Sequence, residues 1–125
     1  DSDPGNGKVK FNNATYSSVT QVYVDLLDSG ATDITNWLDN LDASTNSTKG
    51  IIKMYSIADP TQWVVFALTA RTTATGYRKL TVTFIASNGA LSTTAADTVF
   101  SFSQSGQLQV GTSAAEIMAR ISLGF

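Results

Sequence analysis

Apolar and polar residues alternate with a period of two along several short stretches of this chain. That spacing belongs to strands that turn one face to a core. In 8–11, Val9 and Phe11 share one side and the two lysines the other. In 19–27, Val22, Val24 and Leu26 point one way and Gln21, Tyr23 and Asp25 the other. Further strands are predicted at about 49–57, 62–70, 77–86 and 99–104, with turns near Asp59-Pro60 and in 72–76. Trp63-Val64-Val65-Phe66-Ala67-Leu68 is apolar on both faces, the pattern of a central strand covered on two sides. Leu80, Val82 and Phe84 alternate with Lys79, Thr81 and Thr83, so that strand has one wet face. Phe100 and Phe102 share a face of the last clear strand. It is expected to pair with the strand carrying Val82 and Phe84 across a long hairpin loop that follows the Asn88-Gly89 turn.

Two segments carry a helical period instead. Ile34, Trp37, Leu38 and Leu41 fall at i, i+3, i+4 and i+7, which predicts a short helix over 33–41 capped by Thr32 or Asp33. Trp37 reads as a core anchor. Ser113-Ala114-Ala115-Glu116 fits a capping box, and Ile117, Met118 and Ile121 follow as an apolar face, with Gly124 as a stop. A second short helix is therefore expected near the C-terminus. The organisation read from these elements is an N-terminal arm or linker over 1–7, a β domain over 8–106 and a C-terminal segment with a short helix over 107–125. The fold class is mainly β, an antiparallel β-sandwich or barrel-like fold with one or two short helices.

Composition narrows the function more than the fold. The 125 residues contain no cysteine and no histidine. Disulfides and thiolate metal sites are thus ruled out, and so are the commonest general base and the favoured zinc ligand. Only 14% of residues are charged and the formal net charge is −2, which is no footprint for nucleic acid or an anionic membrane. No apolar run approaches the ~20 residues of a spanning helix. With neither an initiator Met nor a signal-type run at Asp1, the sequence reads as a processed or excised piece of something longer.

Candidate chemistry is sparse. Gly5-Asn6-Gly7 lacks the spacing of a phosphate loop, and no His or obvious Lys stands ready to activate the many hydroxyls. Asp33, Asp39 and Asp42 cluster around the first helix without the spacing of a calcium loop, and read mainly as caps and a solvated face. Asn13-Ala14-Thr15 and Asn46-Ser47-Thr48 match the N-glycosylation pattern, which is frequent by chance in so Ser/Thr/Asn-rich a chain. Tyr16, Tyr23, Tyr55, Tyr77 and Trp63 could supply a sugar-stacking platform, with Trp63 and Tyr77 as the candidate contacts for a glycan or receptor, weighed against ordinary strand packing. Leu108, Val110, Ile117, Met118 and Ile121 are the candidate contacts to another subunit. No cofactor, metal or catalytic residue is expected.

Certain words in the sequence go further. Asp3-Pro4-Gly5-x-Gly7, then Val9-Lys10-Phe11-Asn12-Asn13-Ala14-Thr15 and Val19-Thr20-Gln21-Val22-Tyr23-Val24-Asp25, resemble a module of bacteriophage tail-fibre and related virion proteins, common in phages of marine bacteria and cyanobacteria. The resemblance continues through Trp37-Leu38, Asp42-Ala43-Ser44-Thr45, Lys49-Gly50 and Thr75-Gly76-Tyr77 to Phe100-Ser101-Phe102-Ser103-Gln104-Ser105-Gly106. It implies a non-enzymatic structural protein of the extracellular particle: a tail fibre, an appendage or a capsid decoration. It also implies self-association, with a homotrimer as the habit of fibre proteins, and contact with other virion proteins and with host-surface glycan. In that family the module is often followed by collagen-like Gly-X-Y repeats. Here Gln107-Leu108-Gln109-Val110-Gly111 follows instead, which gives weight to a decoration protein or a module joined to another virion part. A receptor- or glycan-binding adhesion domain and an extracellular filament subunit are the alternatives.

Overall fold

The computed structural model describes residues 1–91, 97–105 and 116–123, with Asp97 and 116–123 described by their backbone alone. The strands are β1 (Lys8–Phe11), β2 (Gln21–Asp25), β3 (Gly50–Ser56), β4 (Trp63–Ala74), β5 (Tyr77–Asn88), β6 (Asp97–Gln104) and β7 (Glu116–Leu123). One five-residue helix, α1 (Thr35–Asp39), and a 3₁₀ turn at Tyr16–Ser18 complete the described elements. Among the described residues no helix is long and apolar enough to cross a membrane.

Alternation dictates the wall. In β3 the residues Ile52 and Met54 are fully buried while Ile51 and Lys53 face out. In β4 the residues Val64, Phe66 and Leu68 are fully buried. The seven strands close on themselves in the order β1-β2-β5-β4-β3-β6-β7. All neighbours are antiparallel except β7 and β1, which run parallel and join through Lys8 with Ser122 and Val9 with Leu123. The mainly β, barrel-like reading of the sequence is what the chain forms.

A flat sheet cannot close, so the long hairpin must bend. β4 and β5 meet through the two-residue turn Thr75-Gly76, where Gly76 takes a left-handed φ of +83°. Their register shifts twice. Ile85 is extra between the pairs Val65 with Ala86 and Phe66 with Phe84. Thr69 is extra between Leu68 with Val82 and Ala70 with Thr81. Such bulges increase local twist and turn the sheet corner.

The interior is filled by inward side chains of every strand whose side chains are described. Each fully buried Phe, Leu or Val contributes roughly 1.5–3 kcal/mol relative to exposure. Phe11, Phe66 and Phe84 form an edge-on series, with ring centroids 5.6 Å apart for Phe11 and Phe66 and 6.3 Å for Phe66 and Phe84. α1 lies over the barrel end nearest the Thr75-Gly76 turn. Its Leu38 and the following Leu41 are buried, and Trp37 meets Phe100 edge-on at 5.4 Å. The helix is shorter than the stripe over 33–41 predicts, and its N-cap position is Ile34 rather than Thr32 or Asp33. Asp33 still anchors the start: its Oδ1 accepts from both the backbone N–H and the hydroxyl of Thr35.

Three expectations need correction. The C-terminal segment is not helical over 116–123; it is the closing strand, so the barrel extends well past residue 106. Ile117, Ala119, Ile121 and Leu123 also alternate with a period of two, and a sheet with two open edges rewards that period over a lone helical turn. β6 does not pair with the strand of Val82 and Phe84. It lies between β3 and β7, while β5 already has β2 and β4 as neighbours. β4 is central but not covered on both sides, since Trp63, Val65 and Ala67 are half-buried on the barrel's outer face. Residues 1–7 form an arm that folds back onto the wall. The N–H of Gly7 donates to the buried Asp25 carboxylate at 3.0 Å, and Lys10 Nζ donates to Ser2 Oγ at 2.5 Å.

Candidate functional site

Trp63 opens β4 beside Tyr55 and Asn88, and Lys53 Nζ stands 5.7 Å from the ring centres of both Tyr55 and Trp63. Tyr77 opens β5. Its ring meets Tyr23 edge-on at 6.1 Å, and its hydroxyl donates to Asp1 Oδ1 at 2.5 Å. Lys79 holds the other oxygen of that carboxylate at 2.6 Å. The two aromatics thus mark opposite ends of one hairpin, on the order of 30 Å apart at strand spacing. They make no single platform, and the arm is bonded to Tyr77. Of the candidate subunit contacts, Leu108 and Val110 lie outside the described residues. In β7, Ile117 pairs with Phe102, Met118 with Ser101 and Ile121 with Thr98.

The carboxylates near α1 are brought together, but with cations. Arg78 is buried and grips Asp39 with two nitrogens, Nε to Oδ1 at 2.6 Å and Nη2 to Oδ2 at 3.3 Å. Arg71 reaches Asp39 at 3.2 Å and Asp42 at 3.1 Å. Arg78 Nη1 also donates to the carbonyls of Ala74 and Tyr77. The hydrogen bond and charge of Arg78 hold the Asp39 carboxyl below the usual range, with Arg71 adding to the effect and partial burial opposing it. This network clamps α1 to the hairpin. Asp33 stands apart, its carboxyl lowered by its bonds to Thr35. Among the described residues no group of three or more His, Cys, Asp or Glu is placed to hold a metal ion.

At the other end of the barrel lies a cleft of about 730 Å³. Phe11 at the end of β1, Tyr16 in the 3₁₀ turn and Phe84 of β5 line it, along with Asn13, Ser17 and Ser87. Tyr16 packs edge-on against Phe11 at 5.5 Å, and its hydroxyl oxygen accepts the N–H of Leu91 at 2.9 Å. Burial raises the Tyr16 phenol above its ordinary pKa of 10.0, against the smaller effect of the Leu91 bond. Asn12 supports the rim from behind: its Oδ1 accepts from the N–H groups of Thr20 and Gln21. Lys10 is the single charged residue among those lining the cleft. Aromatic surface with a neutral hydroxyl and amide rim suits an uncharged polar ligand with apolar faces. In the sequence, 12–15 carries turn chemistry and a glycosylation pattern, and Tyr16 is one of several aromatics suited to stacking on a sugar. What the sequence does not show is that Tyr16 meets Phe11 and Phe84 in one cleft.

No family model, curated protein or solved structure matches the chain.

Proposed function

We propose that this chain is a non-enzymatic structural module of a bacteriophage virion, in a tail fibre, an appendage or a capsid decoration. The observation that carries the non-enzymatic part is the Asp39–Asp42–Arg71–Arg78 network. The carboxylates best grouped for acid–base work are committed to pinning a helix over a barrel end. A carboxylate held in its charged form by a bidentate arginine is a poor proton carrier at neutral pH. The virion part rests on the resemblance running from Asp3 to Gly106. Stability drawn from packing, without disulfides, suits a particle that leaves the cell. Mass spectrometry of purified particles tests this: the chain is expected as a stoichiometric component, and its absence from particles would overturn the reading. Light scattering of the isolated protein tests the expected homotrimer.

The cleft favours a second reading, a glycan-binding adhesion domain, at a site other than the one that Trp63 and Tyr77 would have formed. Tyr16→Ala and Phe84→Ala are then expected to abolish retention on immobilised host glycans while Trp63→Ala and Tyr77→Ala leave it intact. The reverse pattern in folded variants would sink this version.

A further inference from the structure

The sequence contains two Asn-Gly dipeptides, Asn6-Gly7 and Asn88-Gly89. Because glycine has no side chain, its backbone nitrogen can approach the preceding asparagine with little hindrance. Both asparagines are exposed, and both glycines hold a left-handed φ, +71° at Gly7 and +63° at Gly89. Sequence and the exposure of the asparagines therefore rank them equal. Their surroundings do not.

We infer that Asn88-Gly89 is a site of spontaneous deamidation and isoaspartate formation, and that the fold protects Asn6-Gly7 from the same reaction. The reaction begins when the Gly89 amide gives its proton to hydroxide. The nitrogen then attacks Cγ of Asn88, the N–Cγ bond forms and the Cγ–Nδ2 bond breaks. The leaving nitrogen takes a proton from water and departs as ammonia. Water opens the five-membered imide at either carbonyl and yields aspartate or isoaspartate, with no change of oxidation state.

Gly7 is placed against this chemistry. It is buried, and its N–H donates to Oδ2 of Asp25 at 3.0 Å. A neighbouring carboxylate disfavours the amide anion that must form, and the bond holds the nitrogen away from Asn6. A Cβ at Gly7 would lie 2.7 Å from the carbonyl oxygen of Asp28, so the segment has little room to turn. Gly89 is exposed, and its N–H has no hydrogen-bond partner among the described residues. The one restraint on the reacting pair's side chain is a bond from Asn88 Nδ2 to the carbonyl of Thr61 at 2.6 Å.

That bond also sets the consequence. Once the amide becomes a carboxylate, an acceptor faces an acceptor, and the tie between the end of β5 and the turn before β4 is lost. The isoaspartyl form adds a methylene to the backbone leading into Gly89 and Leu91, which line the aromatic cleft. The product carries a new negative charge and a displaced rim.

The test ages the intact protein in mildly alkaline buffer at body temperature, then maps peptides by mass spectrometry and labels isoaspartate with an isoaspartyl methyltransferase. Conversion at Asn88 is expected to outrun that at Asn6 by roughly tenfold or more, the scale of a hydrogen bond to a charged group. In concentrated urea the two sites are expected to react alike, and Asn88→Gln to remove the folded-state signal. Asp25→Ala, if it folds, should release Asn6 and leave Asn88 unchanged. Equal rates in the folded protein, or silence at Asn88 while both sites react in urea, would overturn the inference.

Discussion

Arg78 carries more of the fold's polar order than any other side chain on the hairpin. Its guanidinium binds Asp39 twice and two carbonyls besides, from a position almost closed to solvent. Arg78→Ala strands part of that carboxylate and empties packed volume. It is expected to cost about 1–3 kcal/mol, discounted because Asp39 keeps some exposure and Arg71 remains as a partner. A shift in the urea midpoint without a change in slope reads it out. The same pair gives a pH signature. The folded Asp39 pKa lies below 3.8, so the pair's contribution is complete above the unfolded value and is lost as the pH falls through the folded one. Asp39→Asn should flatten this acid limb of stability. Tyr16 acts at the other extreme. Its folded pKa lies above 10.0, so its contribution holds below that value and fades as the pH rises through the folded one. Tyr16→Phe should remove that alkaline loss while costing about 1 kcal/mol at neutral pH for the bond from Leu91.

Packing sets the limits of individual elements. Gly50 of β3 leaves no space for a side chain, since an added Cβ would fall 2.5 Å from the carbonyl oxygen of Ser103 and also strike the Phe102 ring. Gly50→Ala is expected to cost about 1–3 kcal/mol through overpacking, seen as a lowered thermal midpoint. Leu38→Ala in α1 should cost about 2–5 kcal/mol as a core cavity. Elements such as β1, β3 and β5 are legible in the sequence because each shows one wet face and one dry face over its own few residues. α1 is legible for the same local reason, its stripe of Ile34, Trp37, Leu38 and Leu41. β7 is not, because Ile117, Met118 and Ile121 satisfy a helical face as readily as Ile117, Ala119 and Ile121 satisfy a strand. Which one wins depends on the open edges of β1 and β6, which no local pattern records. The pairing of β6 escapes for a like reason: five strands come before it, and adjacency in sequence favours the wrong partner. The cleft depends on residues 10–17 and 84–91 meeting across the barrel end, so its aromatic lining is invisible until the register of β1, β2 and β5 is known.

On the scale of the whole molecule, closure decides behaviour in solution. β7 occupies both edges that a six-strand sheet would leave open. A chain cut after Ser105 exposes the backbone of β1 and β6, and open edges pair with whatever strand they meet. Such a truncation is expected to produce assemblies larger than those of the intact protein on size exclusion and to abolish slow amide exchange in β1. A truncated protein that elutes unchanged and keeps its β1 protection would show that the sheet is stable open.

The parallel contact between Val9 and Leu123 also orders events in time. It joins residues from near the two ends of the chain, the kind of contact that closes slowly because the intervening loop must first be organised. During synthesis β1 emerges first and β7 last. Until β7 has been made, the sheet has everything but its final stave. Neighbouring ribosomes on one message hold several such chains close together. Each can accept the last strand of another as well as its own, so while β7 is still unpaired this fold chooses between closing alone and exchanging staves with its siblings.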